Sequence, residues 1–98
     1  MTSLRFGDGV AEDIERIAQH WRTYEVERVD DRLAEIFDAM ELLKRHPNIG
    51  RPAGALHREL IIGQGSRGYV ARYRYDPLDD AIEVLALRAQ REAGFRDA

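Results

Sequence analysis

The residues best equipped for chemistry in this chain are its arginines. Between Arg51 and Tyr75 stand Arg51, Arg58, Arg67, Arg72 and Arg74, with Glu59 as the only acid among them. Arg88 and Arg91 continue the series, and Lys44 is the sole lysine. A guanidinium is a planar fork that grips carboxylate or phosphate with paired hydrogen bonds. The expected ligand is therefore an anion: RNA phosphate, or the carboxylates of a protein partner. Cutting RNA would also need a general base and acid. Tyr73, Tyr75 and His57 are the titratable groups nearest to hand, but the two tyrosines alternate with Arg72 and Arg74, which turns them toward a core. Composition alone leaves a solvated sheet face overlaid with arginine as open as a binding surface.

Other chemistries find little support. The glycine-rich run Gly63-Gln64-Gly65-Ser66-Arg67-Gly68 is followed by a strand pattern, where a phosphate-holding loop needs a helix, so it reads as a hairpin loop. Asp30-Asp31 and Asp79-Asp80 fall at a helix start and a turn, both ordinary places for aspartate. His20, His46 and His57 are scattered, and there is no cysteine, so no metal site, cofactor or disulfide framework is expected. No apolar stretch reaches the roughly 18 residues of a membrane span. The opening Met1-Thr2-Ser3-Leu4-Arg5-Phe6 is not basic-then-apolar like a signal peptide. A cytoplasmic, non-membrane protein of one domain, residues 1–98, is expected. The net charge of −3 is uneven. Residues 1–50 carry 7 basic against 11 acidic side chains, and residues 51–98 carry 8 against 7.

Positioning those arginines falls to a short series of elements. Leu4 to Phe6 reads as a brief strand, ended by Gly7-Asp8-Gly9. Val10, Ile14, Ile17 and Trp21 recur at helical spacing, with Glu12, Asp13, Glu15, Arg16 and Arg22 assigned to the polar side. A second stripe, Val29, Leu33, Ile36, Met40 and Leu43, widened by Phe37 and Leu42, predicts a helix over 27–45 that stops at Pro47. The short connection makes the two helices antiparallel neighbours. Residues 48–54 form a loop by their Gly/Pro punctuation. The period then changes to two: strands over 58–62, 69–75 and 81–88, with a turn at Asp76-Pro77. The last strand is apolar on both faces over Val84–Leu87, as a central strand should be. The expected fold is α+β, in β-α-α-β-β-β order, with a helix hairpin packed on an antiparallel sheet. Arg58, Arg72, Arg74 and Arg88 would then lie on three consecutive strands, which lets several of them converge on one face.

Pro47-Asn48-Ile49-Gly50-Arg51-Pro52 after two amphipathic helices resembles the helix exit of RelE/ParE-superfamily toxins. Arg58-Glu59-Leu60-Ile61-Ile62 and Gly68-Tyr69-Val70-Ala71-Arg72-Tyr73-Arg74-Tyr75 are similar to their paired central strands. Ile82–Leu87 with Arg88-Ala89-Gln90-Arg91-Glu92-Ala93-Gly94-Phe95 resembles their last strand and tail. The likeness covers nearly the whole chain in the family's element order.

This resemblance implies a toxin of a bacterial type II toxin–antitoxin pair, neutralised by a cognate antitoxin. RelE-like members cut mRNA on the ribosome, and ParE-like members poison DNA gyrase. For a ribonuclease, the implied catalytic candidates are Arg58, Arg72, Arg88 and Arg91. For partner or target binding they are Arg58, Arg67, Arg72, Arg74, Arg88, Gln90, Arg91 and Phe95. The tail departs from the ribonuclease pattern: Ala89 stands where close relatives carry histidine, and alanine moves no proton. An acidic net charge also suits a ribosome binder poorly. Both departures turn the expectation toward a ParE-like, non-enzymatic toxin. An mRNA endoribonuclease and an inactive toxin fold kept as a binding module are the alternatives.

Overall fold

A computed structural model describes residues 1–24, 29–63 and 68–90. The elements are β1 (Ser3–Phe6), α1 (Val10–Tyr24), α2 (Val29–Arg45), β2 (Arg51–Pro52), β3 (Arg58–Ile62), β4 (Tyr69–Asp76) and β5 (Ala81–Ala89). They build a five-stranded sheet in the order β1-β5-β4-β3-β2, with both helices on one face. The strands β2 to β5 pair antiparallel as neighbours, and β5 is central, as its double-sided apolarity requires. Two details correct the sequence reading. The sheet is mixed, because β1 lies parallel to β5, with Leu4 beside Ile82 and Phe6 beside Val84. Parallel neighbours need a long connection, and the whole of α1 to β4 supplies it. The segment expected to be loop also contributes β2, whose Arg51 and Pro52 pair with Glu59 and Arg58. Pro52 is tolerated there because β2 is an edge strand.

Helical spacing and strand alternation meet in one core. Val10, Ile17, Ala18 and Trp21 from α1 and Val29, Ile36, Met40 and Leu43 from α2 close over Leu60, Ile62, Tyr69, Ala71, Tyr73, Ile82, Val84 and Leu87. Between Arg72 and Tyr73 the β4–β5 register shifts past Leu85, so Tyr73 meets Val84 and the apolar sides of both strands stay in phase. Trp21 donates its indole N–H to the Tyr69 hydroxyl at 2.6 Å, and the Arg32 guanidinium lies over the Trp21 ring at 4.5 Å. Phe37, placed by its spacing beside the α2 stripe, is exposed.

Asp13 overturns its assignment to the polar side of α1, being only 7% exposed. It stands three residues after Val10 and four before Ile17, so it shares their face. Its Oδ2 accepts the Leu87 backbone N–H at 2.9 Å, and its Oδ1 accepts Arg16 Nη1 at 2.8 Å. Arg16 Nη2 in turn donates to the Leu87 carbonyl at 3.1 Å. The partner strand β1 has ended before this point, and Gly7 N–H takes the Val84 carbonyl at 2.8 Å. Asp13 and Arg16 together serve the next outward-facing peptide groups of β5, which α1 would otherwise cover unpaired.

The opposite end of β1 is tied down by Asp80. Its carboxylate accepts Thr2 Oγ1 and the Tyr75 hydroxyl, each at 2.9 Å, and its backbone carbonyl accepts Ser3 N–H at 3.0 Å. The hydrogen bonds from Thr2 and Tyr75 hold Asp80 below the ordinary carboxylate value, against the effect of burial and with help from the terminal amine. The same bond leads the causes that raise Tyr75, followed by burial and the charges of Asp80 and Asp76.

Removing the Asp13 carboxylate strands a buried N–H and the charge of Arg16. Asp13→Ala should cost about 3 kcal/mol in urea unfolding, and Asp13→Asn less, since an amide keeps one acceptor. A second expectation follows from Asp80. A carboxylate whose folded value is depressed stabilises above its ordinary value of 3.8 and loses that contribution as pH falls through the folded value. Acidification below pH 3.8 should therefore loosen Thr2 and Ser3 in amide-exchange spectra, and Asp80→Asn should abolish the pH dependence of that change.

Candidate functional site

The alternation of strand residues and the register between strands sort the arginines. On the sheet face away from the helices, side chains fall in rows across the strands. One row runs Arg51–Glu59–Arg72 and another Arg74–Glu83–Arg5. Glu59, the only acid of the basic stretch, lies within 3.1 Å of Arg51 and 3.4 Å of Arg72. Glu83 pairs with Arg74 at 2.7 Å, while Arg5 reaches Asp79 at 3.8 Å. In the next row Arg88 stands beside the fully buried Val70, and its Nη1 donates to the carbonyls of Ala89 and Gln90 at 3.3 and 3.4 Å. Arg72, Arg74 and Arg88 therefore share one face, as alternation demands. Arg72 and Arg74 are both held by carboxylates of neighbouring strands.

Arg58 does not join them. It pairs with Tyr73 in register and so points to the helix side, where Nη1 donates to the Gly50 carbonyl at 2.7 Å and to that of Asn48 at 3.3 Å. Of the four arginines on the three strands, Arg72, Arg74 and Arg88 thus come together on one face, and the register of β3 against β4 separates Arg58 from them. Gln90 is half-buried just after β5, its N–H donating to the Gly68 carbonyl at 2.8 Å. Arg67, Arg91 and Phe95 lie outside the described residues. His57 precedes β3, its carbonyl accepting Ala53 N–H at 2.9 Å. His20 packs edge-on against Trp21, and His46 is exposed at the end of α2.

The tyrosines occupy the helix side. Tyr73 is fully buried, and its hydroxyl accepts Gly50 N–H at 2.9 Å while donating to the Pro47 carbonyl at 2.7 Å. Burial raises its pKa, opposed by the Gly50 N–H and the Arg58 charge. Tyr75, half-buried, is committed to Asp80. The loop after α2 is consequently pinned by Tyr73 and Arg58 together. Its glycine is obligatory, because a Cβ on Gly50 would sit 2.7 Å from Tyr73 Cε1 and 2.9 Å from the Glu59 carbonyl. Sequence reasoning missed Asp13, Glu59 and Gly50 as organising residues. For Glu59 a signal existed in its isolation among five arginines. For Asp13 the signal was its spacing from Val10 and Ile17.

Chemically, this face is an arginine-rich sheet surface neutralised by its own carboxylates, with its phenols on the far side. It suits ionic and hydrogen-bonded recognition more than proton transfer. The sequence matches a known toxin family: that described as "ParE toxin of type II toxin-antitoxin system, parDE" aligns with residues 4–94. The chain belongs to that family, and is the toxin of a type II toxin–antitoxin system in the RelE/ParE superfamily. Toxin RelE3 of Caulobacter vibrioides is 29% identical over 93 residues, spanning 94% of this chain and 98% of that protein. A solved structure described as a chromosomal ParDE TA system from P. aeruginosa superposes with a TM-score of 0.76 at 20% identity. It covers 91% of this chain and 96% of its own. Family membership implies a cognate antitoxin as partner. Among the described residues no helix is long and apolar enough to cross a membrane.

Removing the Tyr73 hydroxyl leaves the Pro47 carbonyl and Gly50 N–H to be satisfied elsewhere. Tyr73→Phe should lower stability by about 1–3 kcal/mol, seen as an earlier thermal unfolding midpoint. An unchanged midpoint would mean that the loop is not held by this residue.

Proposed function

We propose that this toxin acts as a ParE-like inhibitor of DNA gyrase in the cytoplasm, binding its target without cutting RNA, and that its antitoxin relieves the inhibition. The observation that carries this reading is the split between the two sheet faces. Arg72, Arg74 and Arg88 lie on one side, while Tyr73 and Tyr75 hang on the other, each hydroxyl already hydrogen-bonded. A phosphodiester cleaved on the arginine face would find neither phenol within reach, and Ala89 supplies no proton-transfer group at the end of β5. Carboxylates that neutralise Arg51, Arg72 and Arg74 further weaken attraction for a polyanion. The family match points the same way, since it is to the ParE toxins.

Purified chain should block gyrase supercoiling, and the cognate antitoxin should restore it. Undiminished supercoiling at saturating toxin would reject the proposal. If it were accompanied by mRNA cleavage in a translation extract that Arg72→Ala abolishes, the ribonuclease alternative would replace it. Unimpaired growth at high expression without antitoxin would favour an inactive binding module.

A further inference from the structure

A second surface lies where α2 ends, on the helix side of the sheet's β2 edge. Arg45, His46, Pro47, Asn48 and Ile49 line an open cleft of about 470 Å³ there, a size that accommodates one or two side chains of a partner. Three observations set it apart. Its backbone is fixed from beneath by Tyr73 and Arg58 and closed by Ile49 N–H on the His46 carbonyl at 3.1 Å. Yet Ile49 holds its side chain 50% exposed on that rigid loop, between an exposed Asn48 and the buried Gly50. One uncompensated cation also stands at this corner of an acidic chain. Lys44 is paired with Glu41 and Arg51 with Glu59, while Arg45 is exposed and makes no ion pair among the described residues.

We infer that this corner is a docking site for an acidic segment of a protein partner, with an apolar residue seated against Ile49 and Pro47 and a carboxylate facing Arg45 and His46. Charge complementarity selects the acidic chemistry. The apolar floor selects protein over nucleic acid, since a phosphate backbone would leave Ile49 and Pro47 unused. A preorganised loop loses little further freedom on binding, which lets a small patch contribute. The inference rests on the proposal that the toxin works by binding a protein target, and it assigns that binding to a face separate from the arginine rows.

The test uses the full chain and a double variant, Arg45→Glu with Ile49→Ser, both exposed positions whose replacement should leave the thermal midpoint in place. A short peptide carrying glutamates around one leucine should shift the amide resonances of residues 45–51. The shifts should weaken when serine replaces the leucine and vanish in the double variant. In the supercoiling assay the double variant should lose about tenfold or more in potency. Absent shifts at 45–51, a stronger response to a single-stranded oligonucleotide, or shifts reproduced by raising the protein concentration alone would each overturn the assignment. Wild-type inhibition matched by the double variant would also overturn it while leaving the gyrase reading intact. If the wild type does not inhibit gyrase, that reading falls, and the peptide titration alone decides the corner.

Discussion

Everything in this domain hangs on how the central strand β5 satisfies its backbone. On one side β4 pairs with it along its length; on the other, β1 runs out at Phe6. A helix must cover the remainder, and a helix offers a strand edge no free peptide groups. Asp13 and Arg16 solve this as a unit, one accepting from Leu87 N–H and the other donating to its carbonyl, while bonded to each other at 2.8 Å. A buried charged pair is seldom a source of net stability. Its value here is positional: it fixes the height and rotation of α1 over the sheet, and with them the depth at which Trp21 meets Tyr69.

With α1 fixed, the period-two alternation of β4 decides where chemistry can occur. Tyr69, Ala71 and Tyr73 go under the helices, and Val70, Arg72 and Arg74 go to the opposite face. Register then decides what each arginine meets. Because Glu59 lies opposite Arg72 and Arg51, and Glu83 opposite Arg74, opposite charges alternate across the strands. Such partly exposed pairs contribute little to stability individually. They do set the potential of the face, turning a cluster of cations into a patterned surface better matched to another patterned protein surface than to a uniform polyanion.

Much of this was legible in the sequence. Both helical stripes, the three long strands, the central place of β5 and the inward turn of Tyr73 follow from periodicity, which reports local geometry directly. Three features were not legible in the same way. The parallel pairing of β1 depends on which edge of the sheet remains open, a non-local fact with no trace in Leu4-Arg5-Phe6. The burial of Asp13 was hidden by residue type, since a carboxylate in a first helical turn usually faces water and the helix dipole explains it equally well. Which of the four arginines share a face was not legible, because strand membership is readable while the register of β3 against β4 is not. One residue of register exchanges the faces completely.

Arg58 and Tyr73 also explain why a loop of exposed residues can be rigid. A loop is usually held by its own turn chemistry, but residues 47–50 are held by side chains reaching from the sheet: a phenol that accepts one peptide N–H and donates to one carbonyl, and a guanidinium that grips two carbonyls. That arrangement demands a missing Cβ at Gly50 and a fully buried Tyr73, so the inner residues of the motif answer to the core. Asn48 and Ile49 carry no such obligation, since their side chains are exposed and it is backbone groups of the loop that Tyr73 and Arg58 hold. The motif thus separates into a structural half, fixed by packing, and an outward half whose chemistry the fold leaves open. The outward half is where recognition can vary between toxins of this architecture without disturbing the fold.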